Sequence, residues 1–92
     1  MTAWPVQVGE AVETDEDEAY LRLVGKRVRV LRVFLGLSQE ELATAAGVTR
    51  NYVSAVERAV HRLDVVRARR LALVLRVRIG DLLADLRPAG DQ

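Results

Sequence analysis

The sequence contains no cysteine, which limits what can hold the chain together. Without cysteine there is neither a disulfide nor a cysteine-ligated metal, and the single histidine, His61, cannot build a metal site alone. Aromatic residues are also few, with one Trp, two Tyr and one Phe among 92 residues. We therefore expect one small domain without a cofactor, held together by the packing of aliphatic side chains.

Long hydrophobic runs and catalytic groupings are missing as well. No stretch approaches the roughly 18 uncharged apolar residues of a membrane span, and the N-terminus lacks the basic start and apolar run of a secretion signal. We therefore expect a cytoplasmic protein without a membrane partner. The sequence offers no His, Cys or paired-carboxylate constellation and no glycine loop for phosphate, so it does not predict an enzyme.

Charge is unevenly distributed along the chain. The first 19 residues hold six acids and no Lys or Arg, although the whole chain carries only +1. Residues 20–92 therefore carry 14 bases and seven acids, a net charge of +7 that suits a polyanionic partner. All but one of these bases are arginine, which favours phosphate and guanine recognition but equally fits a GC-rich genome. Both explanations remain open at this point.

The pattern of apolar residues predicts an all-α fold of five short helices without a sheet. We interpret residues 1–19 as a flexible acidic N-terminal arm that includes the start of the first helix, where Thr14 and Asp17 resemble a capping box. Residues 20–87 form the folded domain, and residues 88–92 are a C-terminal tail.

Helix boundaries follow from capping residues and breakers. The first helix ends at Gly36, and the second, third and fourth begin after N-caps supplied by Ser38, Thr49 and Asp64. The fifth is predicted from about Gly80 to Leu86, before the stop at Pro88.

Residues 37–58, LSQEELATAAGVTRNYVSAVER, combine two short helices with a tight turn at Gly47. Small alanines in the first helix permit close crossing, and the valines of the second point to the core while its polar side chains point outward. This arrangement predicts a helix-turn-helix, whose second helix lies in the major groove of double-stranded DNA.

The string and its flanks resemble the lambda-repressor/Cro-like (Xre) family of helix-turn-helix proteins over residues 23–83. The segment TRNYVSAVER is similar to the controller proteins of restriction–modification systems. The resemblance implies a compact five-helix lambda-repressor-like DNA-binding domain, usually a homodimer on a palindromic operator. It thus implies a sequence-specific transcriptional regulator.

The resemblance assigns roles to individual residues. The positions that meet base edges in the family are occupied here by Arg50, Asn51 and Ser54, and we expect Tyr52 to reach a sugar or a thymine methyl group. Arg can bind guanine and Asn can bind adenine through two hydrogen bonds, each worth about 1–3 kcal/mol of discrimination. Phosphate contacts are assigned to Gln39 and Arg58. His61 is either a plain loop residue or a third contact with phosphate.

Other residues are assigned to structure. Family positions pair Arg32 with Glu57 as an ion pair. Helix five carries more leucine than one face requires, so Leu82, Leu83 and Leu86 are predicted at a dimer interface, with the monomer core as the alternative. Trp4 is either exposed or an anchor onto a partner subunit, and the sequence does not decide between these.

The chain also departs from the family pattern, which keeps two other functions open. Ala59 stands where family members usually have glycine, and apolar residues occupy positions that are commonly charged, namely Val30, Val33, Val60 and Leu73. The surplus valines fit an antitoxin that binds both DNA and a toxin. A protein-interaction module that has lost DNA binding is the other alternative.

Overall fold

The computed structural model describes residues 14–60 and 63–85, and within them it is built of helices and connecting turns. The five helices are α1 (Asp15–Phe34), α2 (Gln39–Ala46), α3 (Arg50–Glu57), α4 (Val65–Leu75) and α5 (Ile79–Leu83). This confirms the prediction of an all-α fold with five helices. The predictions for residues 1–13, for His61, and for Leu86 and Pro88 lie outside the described residues.

Helix α1 begins where the sequence predicts, at a complete capping box. The Asp17 amide donates to Thr14 Oγ1 over 3.1 Å, and the Thr14 amide donates to Asp17 Oδ2 over 3.0 Å. The acidic residues of the first turn lie at the positive end of the helix dipole, which favours negative charge. The segment from Asp15 onward is therefore helical.

The core lies where all five helices meet. Its fully buried side chains are aliphatic, and each helix supplies at least one: Val24, Val28, Leu42, Val53, Val56, Leu71, Leu75 and Leu82. Helix α3 packs against both α1 and α2, and α4 packs against α2 as well. Because α3 uses its valines for this packing, its opposite side faces solvent.

Helix α5 is shorter than the sequence predicts. It runs for five residues and ends at Leu83, after which Ala84 has an extended backbone with φ −60° and ψ 137°. The side chain of Arg27 donates to the carbonyl oxygens of Leu82 and Ala84 over 3.0 and 2.6 Å. The guanidinium therefore satisfies the carbonyl groups that the end of a helix leaves without partners.

Candidate nucleic-acid interface

The turn between α2 and α3 separates the two helices of the predicted motif. Helix α2 begins with a capping box in which Ser38 Oγ accepts from the Glu41 amide and the Ser38 amide donates to the Glu41 carboxylate. It ends at Gly47, whose φ of 72° and ψ of 32° are left-handed. Thr49 Oγ1 then accepts from the Tyr52 amide over 3.0 Å and starts α3. Glycine is the residue that adopts this turn conformation without strain.

The outer side of α3 carries the polar residues that the sequence singled out. Arg50 and Asn51 are exposed on its first turn, while Val53 and Val56 are buried on the opposite side. Within residues 14–60 and 63–85, neither the Arg50 nor the Asn51 side chain makes a hydrogen bond. Their donor and acceptor groups are therefore available to another molecule.

Ser54 and Arg58 form the far end of this outer side. Ser54 is half-buried, and its Oγ accepts a hydrogen bond from Arg58 Nε over 3.2 Å. Arg58 follows the last residue of α3 and is exposed. The two side chains thus lie together beside the end of the helix, with the Ser54 hydroxyl already holding one partner.

Tyr52 does not lie on this outer side, which contradicts the sequence-based expectation. Its side chain is buried, with 7% exposed, and the guanidinium carbon of Arg67 lies 5.0 Å from the ring centroid. Burial raises the pKa of the Tyr52 phenol, and the negative charge of Asp64 raises it further. The ring belongs to the packing between α3 and α4, so the expected contact of Tyr52 with a base or sugar is wrong for this geometry.

Arg32 and Glu57 form the predicted ion pair. Arg32 Nε lies 2.6 Å from Glu57 Oε2, and Arg32 Nη2 donates to Glu57 Oε1 over 3.1 Å. This hydrogen-bonded carboxylate raises the pKa of the Arg32 guanidinium. Because one partner is on α1 and the other ends α3, the pair fixes the direction of α3 relative to α1.

Gln39, which the family resemblance also places where it steadies the recognition helix, joins the same network. Its Nε2 donates to Glu57 Oε1 over 3.1 Å, linking the first residue of α2 to the last residue of α3. The side chain is half-buried. One N–H and the amide oxygen remain for an outside partner, since a glutamine amide has two donor hydrogens and one acceptor oxygen.

Helix α4 brings two arginines toward the motif that sequence reasoning did not single out. Arg67 stacks on Tyr52, and Arg70 Nη1 would lie 3.9 Å from a β-carbon placed on Gly47. Both residues are exposed. Their spacing of three residues places them on one face of a helix, and this was the signal available in the sequence.

The leucines of α5 only partly follow the dimer prediction. Leu82 is buried in the core of the single chain, with 1% exposed, so the prediction that it forms a dimer interface is wrong and the core alternative holds. Leu83 is half-buried, and its carbonyl oxygen accepts a hydrogen bond from the Tyr20 hydroxyl. Leu86 and the expected phosphate contact of His61 fall outside the described residues.

The described part of the chain contains no group of three or more His, Cys, Asp or Glu residues arranged to hold a metal ion. Across the same residues, no helix has both the length and the apolar character needed to cross a membrane.

Two short helices joined at a left-handed glycine, the second exposing Arg50 and Asn51, define a helix-turn-helix DNA-binding domain. The chain belongs to the helix-turn-helix family, whose model matches residues 28–82. This membership confirms the resemblance drawn from residues 23–83. It also agrees with the prediction that the domain is not an enzyme.

Solved structures of regulators share this fold. The restriction–modification controller protein C.AhdI from Aeromonas hydrophila is 41% identical, with a TM-score of 0.68 over 70% of this chain and 97% of that one. SinR of Bacillus subtilis, a master regulator for biofilm formation, has been solved in complex with DNA. It is 33% identical to this chain, with a TM-score of 0.63 over 65% of this chain and 97% of that one. The likeness confirms the lambda-repressor-like architecture.

Curated relatives also carry regulator names. The hypothetical transcription factor of Neisseria meningitidis is 43% identical over 68 residues, which are 73% of this chain and 64% of that protein. The chain spans 45% of the length of two rhizobial HTH-type transcriptional regulators to which it is 31% identical. The shared part is thus the DNA-binding domain of transcription regulators.

Proposed function

We propose that this protein binds specific sites in double-stranded DNA and so regulates transcription, with Arg50 and Asn51 contacting base edges. The observation that carries this proposal is the exposure of both side chains on the first turn of α3, while the valines behind them lie in the core. In helix-turn-helix proteins the N-terminal residues of the second helix are the ones that meet base edges. DNA binding also fits the expected cytoplasmic location.

The chemistry of the two side chains suits different bases. Arg50 can donate two hydrogen bonds to O6 and N7 of guanine, and Asn51 can donate to N7 and accept from N6 of adenine. The N-terminus of α3 presents backbone N–H groups and a partial positive charge, which favour a phosphate close by. Ser54, one turn further along, can reach the edge of the same site through its hydroxyl.

Residues outside the first turn of α3 supply contacts with the DNA backbone. We assign these to Gln39, Arg58 and, from the position of its guanidinium beside Gly47, Arg70. Such contacts hold the protein in register but carry no sequence information. Because each neutralised phosphate releases counterions, log affinity falls with log salt by about 0.9 per phosphate.

Selection of bound DNA from a random pool tests the proposal. We expect the unmodified protein to enrich a defined site containing guanine, and the Arg50→Ala protein to lose the preference at one base pair. Arg22→Ala, which removes the same charge from the exposed surface of α1, is the matched control and should enrich the original site. Enrichment of the same site by Arg50→Ala would refute the assigned base contact, and enrichment of no site would refute sequence-specific binding.

A homodimer on a palindromic operator is a further part of the proposal. With Leu82 buried, the apolar surface for a second copy must come from other residues, and Leu73 on α4 is 62% exposed next to the α4–α5 connection. We expect Leu73→Glu to lower the mass seen in sedimentation from dimer to monomer. Val66→Glu, which changes an equally exposed valine at the other end of α4, should leave the dimer intact.

A second candidate function involves a protein partner in addition to DNA. The observation in its favour is the number of exposed apolar side chains on the described surface, which include Val33, Phe34, Val65 and Val66. SinR, one of the similar proteins, has been solved with the protein SinI. An antitoxin of this fold would bind and inactivate the toxic product of a neighbouring gene. Co-expression with that product, followed by growth and co-purification, distinguishes it from a regulator that acts alone.

A further inference from the structure

An apolar cleft on the side of α1 has no role in the proposed contacts with DNA. It has a volume of about 390 Å³ and opens to solvent between α1, the α4–α5 connection and α5; its lining residues are Leu23, Lys26, Arg27, Val30, Leu31, Val77 and Asp81. This volume falls in the range of sites that take up a small molecule or a large side chain.

The walls of the cleft are held in place by the fold. Leu31 and Val77 are half-buried and pack against the hydrophobic core. On one rim, Arg27 Nη1 donates to the carbonyl oxygens of Asp81, Leu82 and Ala84, which ties α1 to α5. Val30 lies in the cleft and is 55% exposed. The cleft is therefore a preformed apolar surface left in contact with water.

The residues that precede α1 have the composition to cover this surface. Residues 1–13 contain the only tryptophan of the chain, Trp4, together with Pro5 and six further apolar residues, Met1, Ala3, Val6, Val8, Ala11 and Val12. A tryptophan buries about 150–250 Å² when it packs. The same 13 residues contain two acids and no base, whereas the cleft is lined by two bases, Lys26 and Arg27, and one acid, Asp81. Residues 1–13 therefore complement the cleft in both apolar character and net charge.

The length of the segment also fits. Leu23 lies nine residues beyond Thr14, which is about 14 Å along a helix at 1.5 Å per residue, and Val30 lies about 24 Å along. Trp4 lies ten residues before Thr14, and a chain of that length spans at most about 33–36 Å. A segment that turns back at the start of α1 can therefore place Trp4 anywhere in the cleft.

We propose that residues 1–13 fold back along α1 and that the side chain of Trp4 occupies the cleft beside Val30. The occupant is the protein's own N-terminal segment, and the interaction covers an apolar surface that would otherwise attract other molecules. The proposal does not depend on the proposed contacts with DNA, because it concerns a different surface.

Tryptophan fluorescence tests the proposal directly, because Trp4 is the sole tryptophan. We expect its emission in the native 92-residue chain to be shifted to shorter wavelength and protected from acrylamide, compared with the chain unfolded in urea. Val30→Glu should remove both effects. Val33→Glu is the matched control, because Val33 is 58% exposed on the same helix and does not line the cleft. Circular dichroism should show both variants folded.

A label placed in the cleft tests the location. The chain has no cysteine, so Lys26→Cys provides a single site for a nitroxide, which quenches tryptophan fluorescence at contact range. We expect strong quenching from position 26 and little from Arg29→Cys, an exposed position on the same helix outside the cleft. The quenching should not change on dilution, since the segment belongs to the same chain.

Three results would overturn the proposal. Emission of the native protein at the wavelength of the unfolded chain would show that Trp4 is not buried. Equal quenching from positions 26 and 29 would place it elsewhere. Quenching and a blue shift that both disappear on dilution would show that the cleft is occupied by a second copy of the chain instead.

Discussion

The α-carbon of Gly25 on α1 lies directly against the backbone of α3 at Val56. A β-carbon placed on Gly25 would lie much closer than 3.0 Å to the Val56 carbonyl oxygen, a separation that real β-carbons essentially never show. The Glu57 carbonyl oxygen would lie 3.1 Å from the same β-carbon. Both obstacles are backbone atoms, so neither can turn aside as a flexible side chain would. The absence of a side chain at Gly25 thus sets how closely the proposed recognition helix lies to α1.

Gly25→Ala should therefore destabilise the domain by about 1–3 kcal/mol or more, the usual cost of overpacking a core. Gly80→Ala is the matched control, because a β-carbon there meets nothing within 4 Å. The control should be neutral or more stable by about 0.5–1 kcal/mol, since alanine replaces glycine in a helix. Urea unfolding measures both values. An unchanged midpoint for Gly25→Ala would contradict the close approach of α1 and α3.

The ion pair between Arg32 and Glu57 should show strong coupling, because both side chains are largely shielded from water, with 13% and 5% exposed. Arg32→Met and Glu57→Leu each leave an unpaired charge in that environment, and we expect each to cost about 3 kcal/mol. The double variant removes both charges and should cost clearly less than the sum of the single variants. Urea denaturation of the four proteins measures the cycle, and additive losses would mean that the pair contributes only as two independent side chains.

Gln39 should affect DNA affinity without affecting which sequence is bound. If its free amide N–H donates to a phosphate, Gln39→Met loses a hydrogen bond to a charged group, worth about 1.5 kcal/mol or roughly tenfold in Kd. The loss should be equal on specific and random duplexes, whereas Arg50→Ala should weaken the specific site more. Titration of both duplexes at one salt concentration measures this. If the variant has unchanged DNA affinity but lower stability, Gln39 contributes only through its hydrogen bond with Glu57.

Ala59 occupies a left-handed position that favours glycine. Its φ is 60°, and it lies in the turn that ends α3, where the Val60 amide donates to the Ala55 carbonyl oxygen and the Ala59 amide to that of Val56. A left-handed conformation costs an L-residue about 1–2 kcal/mol, partly offset by the greater freedom of glycine in the unfolded chain.

Ala59→Gly should therefore stabilise the domain by roughly 0.5–1 kcal/mol. Ala45→Gly is the control, because Ala45 is exposed within α2 and should lose about 1 kcal/mol there. Thermal unfolding distinguishes the opposite signs. A fall in stability for both variants would contradict the left-handed turn at Ala59.

Tyr52 should make the stability of the domain sensitive to alkaline pH. Burial and the nearby Asp64 raise the pKa of its phenol above the ordinary value of 10.0. The unfolded chain then loses this proton at lower pH than the folded chain. The contribution of neutral Tyr52 is therefore complete below about pH 10 and is lost as pH rises through the folded pKa.

Tyr52→Phe removes this titration. We expect its urea midpoint to fall less than that of the unmodified protein between pH 8 and pH 11. The difference between the two proteins isolates Tyr52 from the other groups that titrate in this range. Parallel slopes would show that the phenol has the same pKa in both states.

The elements of the motif were predictable because their signals are local. Ser38 with Glu41, Gly47, and Thr49 each act within three residues of their own position, and all three take the predicted conformations. The outward position of Arg50 and Asn51 followed from the spacing of Val53 and Val56 alone. The pairing of Arg32 with Glu57 is a long-range contact, and it came from the family resemblance instead.

Other features depended on contacts between distant parts of the chain. Tyr52 lies four residues before Val56, a spacing that places it toward the core side of α3, but the expected contact with DNA overlooked this; α4 covers the ring with Arg67. The end of α5 at Leu83 likewise depends on Arg27 of α1, which binds the carbonyl groups there. Leu82 is buried in the core of the single chain because α5 packs against both α1 and α4, and these contacts join distant parts of the chain.

The sequence by itself determined the helical class, the helix starts and the turn at Gly47, because capping and hydrophobic spacing act between residues near one another in the chain. Only the tertiary structure decided that Arg67 of α4 covers Tyr52, that Gln39 shares Glu57 with Arg32, and that an apolar cleft remains beside Val30. Each of these depends on which helices meet and how closely, and packing between distant residues sets that distance.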